Sequence, residues 1–331
     1  MLRLATATSL LLLTFGCGAQ TGTIGGDPGG GNPGGGNPGG GAGPDAACPA
    51  VHFMATQVVP SIQLLIDRSG SMDTALPNTN TSRYQAMHDA LVGGTGVVTS
   101  LQNKVYFGAS LFSADTPCPK LYSQGRAMGN YTSIKSLIES QSPNGNTPTA
   151  PSIDAVVADF AAHPAPMGSP PVIVLATDGL PNSCSSSADT TADTVVAAKA
   201  AYAAGIRLFV LGIAGVNDSF LQQVANAGAG VQANQPNAPY YTANSPAQLQ
   251  AAFQQIIGGV VSCDLMLNGN IDTTQASSGT VTLDGQTLTY GTDWTLVNGN
   301  TLELIGAACD TLKNAANPSL DASWPCGSVI L

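Results

Sequence analysis

Charge is what this 331-residue sequence has least of: 9% of its residues are Asp, Glu, Lys or Arg. Such a chain leans on Asn, Gln, Ser and Thr for solubility. Positive charge is scarcer still, with 10 Lys and Arg against 20 Asp and Glu. The basic residues are scattered and form no patch. That excludes nucleic acid as a partner, because neutralising phosphates needs a basic face. No two cysteines stand in C-x-x-C spacing, which argues against zinc and thioredoxin-like chemistry. No G-x-S-x-G elbow occurs, so an α/β-hydrolase nucleophile has no seat. His52, His88 and His163 lie far apart in the chain and read as surface or helix residues. The one apolar stretch at the N-terminus is too short to cross a membrane comfortably.

That stretch, "MLRLATATSLLLLTFGCGAQ", has one early Arg, a short apolar run and then small residues. This is the pattern of an export signal over residues 1–19. Two cleavage readings compete. "LTFGC" resembles the lipobox of bacterial lipoproteins, whose Cys is lipidated and becomes the first residue; that nominates Cys17. Thr14 stands where Leu is usual, and Phe15 is bulky. The other reading cuts after Ala19. We favour lipidation, because a Cys closing an apolar region has few other uses.

Residues 20–47 form a Gly/Pro/Asn-rich tether containing "GGDPGGGNPGGGNPGGGAGP". It has almost no apolar surface to offset its ordering entropy and is expected to be disordered. Its period of five excludes collagen. Twenty such residues span roughly 25 Å as a coil. The expected location is extracytoplasmic: anchored to the bacterial cell envelope through lipid, on the outer membrane, or secreted.

From residue 60 to 258 strand and helix patterns alternate. The strands "IQLLID", "VYFGASLFS", "PVIVLATD" and "RLFVLGIA" are apolar almost throughout. Between them lie helical patterns, including 83–102 with a loosened middle, 131–140, 150–163, 191–205, 218–228 and 247–258. Apolar strands separated by helices predict an α/β fold: a doubly wound, mostly parallel sheet with helices on both faces. Its ligand belongs at the carboxyl ends of the strands. Beyond Cys263, short β-type runs are broken by Asp-Gly and Asn-Gly turns. The division is therefore 48–262 for the α/β domain and 263–331 for a small β unit, stapled by disulfides. Trp294 and Trp324 are expected to anchor that unit.

With Cys17 set aside, six cysteines remain, an even number suited to three bonds in an oxidising compartment. Cys118 and Cys184 both lie near strand ends, so they are expected to pair. Cys309 and Cys326 lie within the β unit and are expected to pair there. Cys48 and Cys263 flank the α/β domain, which leaves them for the third bond.

The segment "LLIDRSGSM" ends an apolar run on Asp67 and follows it with Ser69 and Ser71. "VLATDGLPN" ends a second strand on Asp178, and "NTPTAPSI" sets Thr147 and Thr149 before a helix. Three strand-end loops thus bring two carboxylates and several hydroxyls to one rim. In isolation, each could cap a turn or a helix. Together they make an all-oxygen set, which selects a hard cation over zinc or copper. Asp67 is expected at the rim, outside the core.

In this order the residues resemble the von Willebrand factor type A domain with its metal-ion-dependent adhesion site. The resemblance covers about residues 60 to 258. It implies a site of Asp67, Ser69, Ser71, Thr147 and Asp178. It implies a divalent cation, Mg²⁺ first, with Mn²⁺ or Ca²⁺ as alternatives. One coordination position stays open for an acidic side chain of a protein partner. Membrane contact is then through the lipid anchor only, and the chain is not an enzyme. The alternative is a structural envelope lipoprotein in which the metal only stabilises the fold.

Overall fold

The computed structural model describes residues 50–53, 55–182, 184, 191–315 and 318–330. The expected signal, Cys17, the tether and Cys48 lie outside the described residues.

Two short strands come first, β1 (Val51–Phe53) and β2 (Ala55–Gln57). β3 (Ser61–Asp67) follows, then α1 (Arg83–Val92) and α2 (Val97–Leu101). Next are β4 (Tyr106–Ser113), β5 (Lys120–Ala127), α3 (Tyr131–Glu139) and α4 (Thr149–Ala162). β6 (Pro171–Thr177), α5 (Thr191–Ala203), β7 (Arg207–Ile213), α6 (Asp218–Gly228), β8 (Tyr241–Ala243) and α7 (Pro246–Val260) complete the alternating part.

These strands form one six-stranded sheet in the order β5-β4-β3-β6-β7-β8. All neighbours are parallel except the edge pair β4–β5. β3 is buried along its whole length, which is why it reads as a continuous apolar run. Its side chains alternate between two cores, as the pleat requires. Ile62, Leu64 and Ile66 pack among residues of α1, α2, α3 and α7. Leu65 packs among residues of α4, α5 and α6. Helix starts follow local chemistry: the side chains of Ser82, Asn217 and Ser245 accept the amides of Gln85, Phe220 and Gln248. The loosened middle of the 83–102 pattern is a real break, with Gly93, Gly94 and Gly96 between α1 and α2.

The last part contains β9 (Asp264–Leu267), β10 (Asn270–Ile271), β11 (Thr280–Leu283) and β12 (Gln286–Leu288). It continues with β13 (Trp294–Asn298), β14 (Thr301–Leu304), α8 (Gly306–Asn314), β15 (Leu320–Trp324) and β16 (Val329–Ile330). Two four-stranded sheets carry it, ordered β1-β15-β11-β12 and β13-β14-β9-β2. The structure thus differs from the expected division at residue 263. β1 and β2 lie before the α/β part in sequence, yet each belongs to a sheet of the β unit. Phe53, Trp294 and Trp324 meet edge to face in its core, with ring centroids 5.6 and 5.7 Å apart.

Two of the expected disulfide pairings are overturned. Cys263 is bonded to Cys309, so neither Cys48–Cys263 nor Cys309–Cys326 exists. Leu304 donates its amide to the Cys263 carbonyl at 3.0 Å. That contact sets the start of β9 beside the end of β14, and α8 begins two residues later and brings Cys309 back. Cys326 is disulfide-bonded as well. Cys118 and Cys184 are bonded to each other.

Candidate metal centre

Asp67 is the last residue of β3, and Asp178 directly follows the last residue of β6. The register pairs Ile66 with Ala176, so one further step sets Asp67 beside Thr177. The Thr177 hydroxyl donates to Asp67 Oδ2 at 2.7 Å. The Ser69 amide donates to Oδ1 at 2.7 Å, so Asp67 also shapes the turn, as Asp commonly does two residues back. Asp67 is fully buried, not at the rim as the sequence suggested.

A single helical turn, Gly70–Asp73, swings Ser71 back over Ser69. Ser69 makes no side-chain capping bond there. Its Oγ lies 3.0 Å from Ser71 Oγ, and the Ser71 hydroxyl donates to Asp178 Oδ1 at 2.8 Å. Met72 pins the turn from below: it is completely buried, worth about 2 kcal/mol by apolar transfer.

Thr147 is buried in the loop before α4. Backbone bonds tie this loop to both others. Gly70 donates to the Gly145 carbonyl at 2.9 Å, Asn144 to that of Arg68 at 2.7 Å, and Asn182 to that of Thr147 at 2.9 Å. Gly145 holds a φ of +74°, a conformation that suits glycine. The Cys118–Cys184 bond joins the β4–β5 connection to the loop after Asp178.

Two arginines beside this cluster were not singled out by sequence reasoning. Arg68, buried inside the motif itself, donates to the Ser142 carbonyl at 2.5 Å and to Ser113 Oγ at 2.6 Å. It also pairs with Asp115 and lies over the Tyr122 ring. Arg83, first residue of α1, donates from Nη1 to Asp178 Oδ2 at 2.7 Å. The histidines stand elsewhere: His52 faces Asp321, His88 faces Asp89 and Glu139, and His163 faces Asp159.

Burial pushes the Asp67 carboxyl up to about 6, and the nearby Asp178 charge adds to the rise. The hydrogen bonds from Ser69 and Thr177 offset this only in part. Two carboxylates and neighbouring hydroxyls so arranged fit a hard divalent cation, whose charge would relieve the cost of ionising Asp67. Among the described residues no group of three or more His, Cys, Asp or Glu could hold a metal. Hydroxyl oxygens would have to complete the shell here.

The family model of the von Willebrand factor type A domain matches residues 61–255. No curated protein matches the sequence. Among solved structures, the pilus adhesin SpaC of Lactobacillus rhamnosus GG is 19% identical with a TM-score of 0.51. That match covers 82% of this chain but 40% of SpaC, so the chain spans well under half the adhesin's length. BatB of Bacteroides thetaiotaomicron is 22% identical over 61% of this chain and 98% of its own, with a TM-score of 0.45. Manganese-loaded TRAP of Plasmodium vivax is 20% identical over 63% and 78%, with a TM-score of 0.43. At such identities the likeness is one of fold. Matched by the family model over more than half its length, the chain belongs to the von Willebrand factor type A domain family.

Proposed function

We propose that this chain is an exported, lipid-anchored envelope protein that binds a protein partner through a divalent cation. Asp67, Ser69, Ser71, Thr147 and Asp178 would hold the ion. The observation that carries this reading is the continuous polar contact from Ser69 through Ser71 to Asp178, with buried Asp67 beside it. A turn needs none of those long-range contacts. When bound, the cation supplies an electron-poor centre that an acidic side chain of a partner can approach.

The chain's own residues do the rest. Asp67 and Asp178 roughly neutralise a divalent charge, and the hydroxyls add none. The loops are held by backbone bonds and a disulfide, so the donors are positioned beforehand. The cluster's hydrogen-bonding neighbours are carboxylates, hydroxyls, amides and Arg83. In this reading both carboxylates are taken up by the ion, which leaves neither free as a general base, so the reading is binding, not turnover. Export and anchoring by Cys17 rest on the sequence of the first 47 residues.

Thermal unfolding with Mg²⁺, Mn²⁺ or Ca²⁺ tests the site. A hundredfold excess over the dissociation constant should stabilise the fold by about 2.7 kcal/mol, EDTA should reverse it, and Asp67→Asn should not respond. Capture of a partner from an envelope extract should fail with EDTA. Identical wild-type melting curves with and without all three ions would overturn the metal assignment. A metal shift without metal-dependent capture would favour the structural alternative.

A further inference from the structure

Arg83 stands where local chemistry disfavours it. It is the first residue of α1, whose first turn carries no acidic residue. A cation there opposes the helix dipole. Its Nε is buried without a hydrogen-bond partner, which carries a desolvation cost of its own. The geometry supplies one compensation for both, the bond from Nη1 to Asp178 Oδ2. The Asp178 side chain is wholly buried and that of Arg83 is 17% exposed, so this is a charge-assisted bond in a poorly screened place. The two oxygens of Asp178 are thus divided, Oδ1 to Ser71 and Oδ2 to Arg83.

Arg68 cannot take this role, because its guanidinium is committed to Ser142, Ser113 and Asp115. The place of Arg83 does not depend on its side chain. Its amide donates to the Thr74 carbonyl at 3.0 Å, which ties the start of α1 to the turn that carries Ser71. The guanidinium is therefore delivered to Asp178 by the backbone of the same loop that delivers the serine.

We propose that Arg83 is a built-in counter-cation that competes with a divalent ion for Asp178. This rests on the metal reading above. In the metal-free protein the guanidinium neutralises one of two neighbouring carboxylates and keeps the site ordered. When a cation binds, Asp178 must serve two positive charges, so its attraction for the ion is weakened. Arg83 thereby sets the affinity lower than the five oxygen donors alone would give. The site then stays folded when empty, and it responds to changes in metal concentration instead of being permanently filled.

The test is Mn²⁺ titration by calorimetry, with thermal unfolding in EDTA, on the full chain and on Arg83→Gln and Arg83→Lys. Arg83→Gln should lower the metal-free melting temperature and yet tighten Mn²⁺ binding about tenfold, equivalent to about 1.4 kcal/mol. Arg83→Lys, which keeps the charge, should stay within about threefold of wild type, since a tenfold change is the effect of removing that charge. A measurement on wild type covers the case in which Arg83→Gln does not fold. Mn²⁺ should speed labelling of Arg83 by an arginine-specific dicarbonyl, read by mass spectrometry, as Asp178 loosens its hold. Unchanged or slower labelling would overturn the proposal. So would Mn²⁺ binding by Arg83→Gln at or below wild-type affinity; weaker binding would leave Arg83 as a positioning residue for Asp178. A wild type that takes up no Mn²⁺ would overturn the metal reading itself, and the competition with it.

Discussion

Asp67 shows how much one buried carboxylate controls. Its folded value near 6 lies above the ordinary 3.8, so the metal-free fold holds this proton more tightly than the unfolded chain does. The stability this lends is fully present below about pH 4. It is lost as pH rises to about 6, amounting to roughly 3 kcal/mol at 1.36 kcal/mol per pKa unit. Asp67→Asn keeps the shape and cannot ionise. In EDTA, the variant's stability relative to wild type should therefore rise by about 2–3 kcal/mol between pH 4 and 7 by urea unfolding. A constant difference would show that Asp67 is not desolvated as described. Ala would be the poorer probe, because it leaves the Ser69 amide without its acceptor, at about 1–3 kcal/mol. Sequence alone placed this side chain at an open rim, since a strand-end position says nothing about the loops that close over it. Asp67, Ser69, Ser71 and Asp178 were legible as a set because their spacing and strand ends are local features. Arg83 was not, because only the folded turn between Ser71 and Ser82 brings it back to Asp178.

Elements were legible where they are apolar and long. β3, β4, β6 and β7 are short, mostly buried apolar runs, as strands covered on both faces should be. β5 escaped notice: "KLYSQGRA" has three apolar residues among polar ones, and only its pairing with β4 makes it a strand. The connection into that antiparallel edge strand also carries one end of a covalent tie to a site loop. Cys118 precedes β5, and Cys184 follows the Asp178 loop, 66 residues away in sequence. Closing such a loop stabilises the fold by about 4 kcal/mol in the chain-entropy model. Replacing both cysteines by Ser should cost up to about that much in denaturant unfolding. It should also weaken metal binding, because the loop after Asp178 loses its restraint. Unchanged affinity in the double variant would show that backbone bonds alone, such as Asn182 to Thr147, hold the loop.

At the scale of the whole chain, the decisive feature is that the β unit is built from both sides of the α/β domain. β1 pairs with β15, and β2 pairs with β9. No local pattern announced this, because three-residue strands carry too little periodicity to read. The SpaC match covers 82% of this chain, more than the 61–255 segment occupies, so this likeness extends past the family domain. The pairing has a consequence that spectroscopy can isolate. The sequence has two tryptophans, and both sit fully buried in the β unit, Trp324 against Phe53 of β1. A chain starting at residue 58 would lose β1, β2 and Phe53 but keep every strand of the six-stranded sheet. Its far-UV spectrum should retain the helical signal of the α/β domain, and the metal response should persist. Its tryptophan emission should shift to the red as the third core opens. Removing a buried Phe alone costs about 3–5 kcal/mol, about as much as the core of a unit of some seventy residues supplies. Blue emission retained in the shortened chain would mean that residues 263–331 fold without the flanking strands.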